Sequence, residues 1–373
     1  MNIPVLRQIR ELDPYVPGLS VQEIRERYGL SQVVKLASNE NPLGASPRVL
    51  EAIARHAAYA FRYPQGGNPR LVEALARRHG VDADTVAVGN GSDEIIDLLI
   101  RMLAEPGRHS IVCCRPCFGL YPIQARIAGV EARRVPLKED FSFDLPGLLC
   151  SVDKDTRLVF LTTPDNPSGY CPPLLEVAAF AKFLAQYHPK AVLVVDEAYV
   201  DFADDERASS LLAAKFIPEN AVFMRTFSKS YGMAGMRLGY AVMPRELASC
   251  FWRMRLPFSV NILAEEAGLA ALEDDDFRRA TLETVREGRR QLTDGLRRLG
   301  CTVWNSAANF LLFRLPGDAS AKACFEDLLQ RGVIIRTLAG YELPEHLRVS
   351  VGTARENAIF LDALSGFLAE TTH

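Results

Sequence analysis

Short apolar runs recur through the middle of this chain, at residues 86–89, 110–114, 158–162, 192–196, 222–226 and 240–243. Each has the length of a strand, and none shows the strict polar alternation of a strand with one wet face. Helix-like stretches lie between them. Strands buried on both faces and separated by helices specify an α/β domain with a mostly parallel sheet. The helices carry start and stop signals. Ser46 and Asn68 each place a capping side chain before a proline suited to the first helical position. Gly80 is placed to end the second helix.

The rhythm changes after about residue 275. A charged amphipathic helix is expected over 276–299, then strands at 301–304 and 310–313, a helix over Ala321–Gln330, and strands at 333–336 and 347–351. Mixed short elements of this kind suggest a smaller α+β domain. A chain of 373 residues is also too long for one ordinary core. The division expected is an N-terminal arm and start of the small domain over 1–45, a large domain over 46–275 and a small C-terminal domain over 276–373. Pro14, Pro17 and Gly18 give the arm its turn signals.

A net charge of −3 gives no electrostatic reason to bind nucleic acid or an anionic membrane. No apolar run approaches the ~18 residues of a membrane span, and residues 1–12 lack the apolar centre of a signal peptide. The expected location is therefore the cytoplasm. Cys113, Cys114 and Cys117 look like half a metal site, but no second cysteine pair or spaced histidine pair completes it. No metal is expected.

The residues that can carry chemistry follow the apolar runs. Lys229 lies in TFSKSYGMAGMRLGY (226–240), among the hydroxyls of Thr226, Ser228 and Ser230 and ahead of Arg237. A lysine amine forms a Schiff base with an aldehyde if part of its population is neutral, while the hydroxyls and the arginine can hold a phosphate. Asp196 ends the apolar run 192–196, where open α/β sheets bind ligands. A carboxylate there can pair with a protonated pyridine nitrogen. Tyr199 follows three residues later. Asn166 sits in a turn fixed by two prolines and a glycine. Gly91, Ser92 and Asp93 open a helix whose free N–H groups suit a phosphate. Gly89, Gly91 and Glu94 miss the dinucleotide glycine spacing. Phe118 can stack on an aromatic ring. Each piece alone is unremarkable. Jointly they supply what pyridoxal 5′-phosphate needs: a phosphate cup, a stacking ring, ligands for the ring oxygen, a partner for the ring nitrogen and a lysine.

The order of these pieces resembles the fold-type-I aminotransferase family over nearly the whole chain. The segments LDPYVPG (12–18), KLASNENPLG (35–44), RYP (62–64), GVIIR (332–336) and LRVSVGT (347–353) resemble its histidinol-phosphate aminotransferase branch. The resemblance implies amino transfer between L-histidinol phosphate and 2-oxoglutarate, in histidine biosynthesis. It assigns Lys229, Asp196 and Tyr199 to catalysis. It places Gly91, Ser92, Asp93, Phe118, Asn166, Thr226, Ser228 and Arg237 around the cofactor, and Tyr15, Asn39, Asn166, Arg336 and Arg348 around the substrate. It also implies a homodimer with shared active sites, in which Tyr63 reaches the neighbouring subunit's cofactor phosphate. Three positions depart from the branch: Asp165 stands for a common asparagine, Phe118 for a tyrosine and Cys117 for a small hydroxyl residue. The rival readings are an aromatic amino-acid aminotransferase, a threonine-phosphate decarboxylase of the same fold, and a non-catalytic cofactor-binding protein.

Overall fold

The computed structural model describes residues 3–12 and 18–371. Its strands, in chain order, are β1 (Val34–Lys35), β2 (Val86–Gly89), β3 (Ser110–Arg115), β4 (Glu131–Pro136), β5 (Thr156–Thr162), β6 (Val192–Asp196), β7 (Ala221–Thr226), β8 (Gly239–Val242), β9 (Thr302–Val303), β10 (Phe310–Arg314), β11 (Val333–Ile334), β12 (Arg336–Thr337) and β13 (His346–Ser350).

The six apolar runs, together with β4, build one seven-stranded sheet, in the order β2-β8-β7-β6-β5-β3-β4. Its pairs are parallel except around β8, which runs antiparallel to both β2 and β7. Strands β2, β7 and β8 are buried along their whole length, as runs without polar alternation require. Strand β4 carries no such signal. It lies at the sheet edge with Glu131, Arg134 and Pro136 exposed. Charge and proline on an edge discourage pairing with another chain, and they also hide the strand from a search for apolar runs.

Helix Pro47–His56 starts as expected, with the Ser46 hydroxyl accepting from the Val49 N–H at 3.1 Å. Helix Pro69–His79 ends at Gly80, which takes a left-handed φ of 58° and returns its N–H to the last turn. Asn68 does not cap that helix, contrary to the expectation from sequence. Its side chain is claimed by buried charged partners: Nδ2 donates to Glu265 at 2.8 Å and Oδ1 accepts from Arg255 at 3.0 Å.

The remaining strands form two small sheets. Strands β12, β13, β10 and β9 are antiparallel neighbours in that order, and β1 pairs in parallel with β11. The run 333–336, read as one strand, is two. Ile335 lies between them, and β11 and β12 belong to different sheets. Helix Asp275–Arg298 is capped by Asp274 and buries Val285, Leu292 and Leu296. Those residues join Phe310, Phe313, Leu347, Val349 and Phe360 in a second core, which Leu36 and Tyr199 also enter. Each wholly buried phenylalanine there contributes roughly 1.5–3 kcal/mol. Helix Ala354–Thr371 closes this core, an element the sequence reading did not include. Among the described residues no helix is long and apolar enough to cross a membrane.

Candidate active site

A cavity of about 170 Å³ opens where several large-sheet strands end. Thr162, Asp196 and Thr226 are the last residues of β5, β6 and β7, and all three line it. Pairing of Thr162 with Asp196 sets those two side by side. Ser92 and Asp93 enter from the first turn of helix Gly91–Leu103, which follows β2. Phe118 enters from the turn after β3, and Ser228 and Lys229 from the turn after β7. Residues spread over the chain meet here because parallel strands present their C-terminal ends on one edge.

Lys229 is half-buried, and its Nζ donates to the Ser38 carbonyl at 3.1 Å. Burial, and then the Arg348 guanidinium, push its amine down to about 8. Roughly a tenth of the amines are thus neutral at about pH 7. Asp196 accepts from the Tyr121 hydroxyl at 2.6 Å and from the Ala198 N–H at 3.1 Å. Burial pushes its carboxyl up to about 6. Burial also raises the Tyr199 phenol above its usual range, so it stays protonated. The Tyr199 ring packs edge-on against Phe310 at 5.1 Å.

The opposite end of the cavity suits an anion. Gly91 has φ 78°, and a Cβ built there would lie 2.5 Å from Arg237 Nη2. Only glycine lets the arginine lie this close to the helix start. Arg237 donates to Asp93 at 3.0 Å and to the Ala234 carbonyl at 3.1 Å. The Ser228 N–H donates to the Thr226 hydroxyl at 3.1 Å, which tightens the turn. Ser230, expected beside these hydroxyls, faces away. It is buried and donates to Asp201, because a network of buried charges lies beneath the turn.

Asn166 lines the cavity; Arg348, on β13, does not line it but contacts Asn166. Arg348 Nη1 donates to Asn166 Oδ1 at 2.5 Å and Nη2 to the Ala37 carbonyl at 2.9 Å, while Nε is buried without a partner. Among the described residues no carboxylate pairs with this buried guanidinium. Arg336 lies opposite Arg348 in the β12–β13 ladder and does not line the cavity. Asn39 does not line it either: it is 1% exposed and bonded on all sides. Tyr63 is 81% exposed, stacked on Phe258 at 4.8 Å and outside the cavity. Tyr15 lies outside the described residues.

Residues 31–364 match the family model of the class I and II aminotransferases. The chain belongs to that family. This aminotransferase is 56% identical, over 95% of its length and 92% of the relative's, to a histidinol-phosphate aminotransferase of Oleidesulfovibrio alaskensis. It is 55% identical, over 97% and 95%, to one of Nitratidesulfovibrio vulgaris. Its fold superposes with a TM-score of 0.88 on the crystal structure of histidinol-phosphate aminotransferase from Sinorhizobium meliloti in complex with pyridoxal-5′-phosphate. Those two chains are 27% identical, and the match covers 98% of each.

Two groups in this aminotransferase escaped the sequence reading. Tyr121 is wholly buried, stacks on Phe160 at 4.5 Å and holds Asp196 and Thr162 together. Its place three residues after Phe118, within a helix, was the available signal. The second group is ionic. Arg225 on β7 donates to Glu197 at 2.8 Å and to Glu206 at 2.7 Å, and Arg278 on the helix Asp275–Arg298 bonds Asp201 and Glu206. Glu197 directly follows Asp196, so the pair joins the ends of β6 and β7 beneath the cavity. Its signal was an arginine inside an otherwise apolar strand, where an unpaired charge would be costly.

Proposed function

We propose that this aminotransferase moves an amino group between L-histidinol phosphate and 2-oxoglutarate, giving imidazole-acetol phosphate and L-glutamate, with pyridoxal 5′-phosphate as its cofactor. The observation that carries the substrate assignment is 56% identity, over 95% of the chain, to an enzyme of that name.

The cavity suits the cofactor group by group. An aldehyde needs a partly neutral amine, and burial gives Lys229 one. A phosphate needs free N–H groups, hydroxyls and a cation, and Gly91, Ser92, Thr226, Ser228 and Arg237 would provide them. A ring fits against Phe118, with Asn166 and Tyr199 for its oxygen and Asp196 for its nitrogen. When bound, the cofactor supplies an exchangeable aldehyde and a ring that takes up electrons from the substrate carbon.

The chain's own groups do the rest. Lys229 Nζ takes the proton from the amine-bearing carbon and returns it at the next step. Asp196 keeps the ring nitrogen protonated. Arg348, buried and short of a carboxylate, binds the glutamate or 2-oxoglutarate carboxylate through its planar donor fork. Arg336 and Tyr15 complete the proposed surroundings of the phosphorylated substrate. A phosphorylated amino alcohol does not cross a bilayer unaided, which supports a cytoplasmic reaction.

The proposed assembly is a homodimer with shared sites. Tyr59, Phe61, Tyr63, Leu256 and Phe258 are exposed apolar side chains, and the Tyr63–Phe258 stack brings their two segments together. A surface of this kind suits burial by a second copy. There Tyr63 would reach the neighbouring subunit's cofactor phosphate.

The test compares histidinol phosphate, phenylalanine, tyrosine and threonine phosphate. Histidinol phosphate should exceed the aromatic donors to 2-oxoglutarate by more than about tenfold in kcat/KM, or ~1.4 kcal/mol. A smaller advantage would make the enzyme an aromatic aminotransferase, and carbon dioxide release from threonine phosphate would make it a decarboxylase.

A further inference from the structure

We propose that Asn39 is a positioning residue: it fixes which way the Tyr199 hydroxyl points its proton and so makes Tyr199 a donor toward the cavity. The inference rests on the reading above, in which Tyr199 serves the cofactor's ring oxygen. A phenol has one proton to donate and lone pairs with which to accept. Its direction as a donor is set by whatever already bonds the oxygen.

The assignment follows from one closed set of bonds. The backbone N–H of Asn39 donates to Ser350 Oγ at 2.8 Å. The single Ser350 proton then goes to Asn39 Oδ1, also at 2.8 Å. With the amide flipped, Ser350 Oγ would face two donors and its buried proton would have no acceptor among the described residues, so the satisfied orientation is the one with Oδ1 toward the serine. The NH2 end is left facing Tyr199, with Nδ2 at 3.1 Å from the phenol oxygen. An NH2 group only donates. The phenol oxygen therefore accepts there, and its own proton goes elsewhere. Tyr199 lines the cavity, and among the described residues no protein acceptor takes that proton.

The surroundings leave Asn39 little freedom. Asn39, Ser350 and Asn309 are almost wholly buried. Asn309 Nδ2 donates to the Asn39 carbonyl at 3.0 Å. The Asn39 backbone sits at φ 55°, a left-handed conformation that asparagine tolerates better than most residues. Sequence reading placed Asn39 against the substrate. The structure instead puts Tyr199 between it and the cavity.

The experiment is a pH titration of the visible chromophore in purified protein carrying its lysine-bound cofactor. A donor at the ring oxygen favours the anionic oxygen and lowers the chromophore's apparent pKa. Tyr199→Phe should raise that value by about one unit or more. Asn39→Asp presents only acceptors, draws the phenol proton away from the cavity, and should raise it similarly. Asn39→Gly adopts the same backbone conformation without adding a charge, and should raise it less. Each Asn39 effect should fall close to zero in a Tyr199→Phe background, because in a double-mutant cycle a residue acting through a missing hydroxyl has no effect. Asn39 effects that are absent, or that persist undiminished beside Phe at 199, would overturn the inference alone. A wild-type protein without a borohydride-trappable lysine chromophore, or a Tyr199→Phe protein titrating like wild type, would overturn the parent reading and the inference with it.

Discussion

Single charges in the cavity are set by burial, and two of them can be tested directly. Lys229 is held at about 8 by burial and then by Arg348. Cofactor addition to cofactor-free protein needs the neutral amine, so its rate should climb with pH to a plateau above that value. Arg348→Met removes the repulsion and should move the midpoint up, whereas Arg348→Lys should retain most of the shift. Stopped-flow absorbance measures this, and an unmoved midpoint in Arg348→Met would exclude the coupling. Asp196 titrates near 6 in the fold against 3.8 as its ordinary value. The folded state then binds more protons between those values, and stability falls as pH rises through them. Asp196→Asn should stabilise cofactor-free protein by up to ~3 kcal/mol at about pH 8 and by little at about pH 4. Urea midpoints without cofactor give the comparison, and equal gains at both pH values would count against it. Residue identities around Lys229, Asp196 and Asn166 were readable because each follows an apolar run closely. The facing of Ser230 and Asn39 was not, since it depends on Asp201 and Ser350, which lie far away in sequence.

At the level of elements, strand ends are fastened as well as strand bodies. Glu197 and Arg225 tie β6 to β7 at the edge where Asp196 and Thr226 project. Arg225→Met would leave Glu197 buried without its cation, at a cost of ~3–5 kcal/mol. Adding Glu197→Gln should recover part of the loss. Denaturant midpoints of the single and double variants test this, and a neutral single variant would show that the pair fastens nothing. Buried strands such as β2 and β6 were legible as unbroken apolar runs. Strand β4 was not, since an edge strand keeps its charges, and the division of 333–336 is invisible because Ile335, the residue at the break, is as apolar as Val333 and Ile334 before it. Helix starts were legible where the cap was local, as at Ser46, and misread where a distant partner won, as at Asn68.

At the scale of the whole molecule, the proposed shared site predicts rescue between dead subunits. A Lys229→Ala chain and a Tyr63→Ala chain should each be inactive alone. Mixed after mild dissociation, they should regain about a quarter of wild-type sites, since half the dimers are hybrid and each hybrid has one intact site. No recovery in demonstrably mixed dimers would place Tyr63 outside the neighbouring site. The internal arrangement has a different consequence. Strand β1 pairs with β11, Val34 facing Val333, and the loop that follows β1 is held by Ser350 and Asn309. That loop supplies the Ser38 carbonyl to Lys229 and the Asn39 amide to Tyr199. A ribosome delivers the two parts of this arrangement, Asn39 and Ser350, 311 residues apart. The seven-stranded sheet is complete in the nascent chain by residue 242, yet the lysine and the tyrosine have no settled partners until residue 350 has emerged. Polypeptides stopped short of that point would carry every residue of the sheet and still lack a finished site, so activity waits on the emergence of β13.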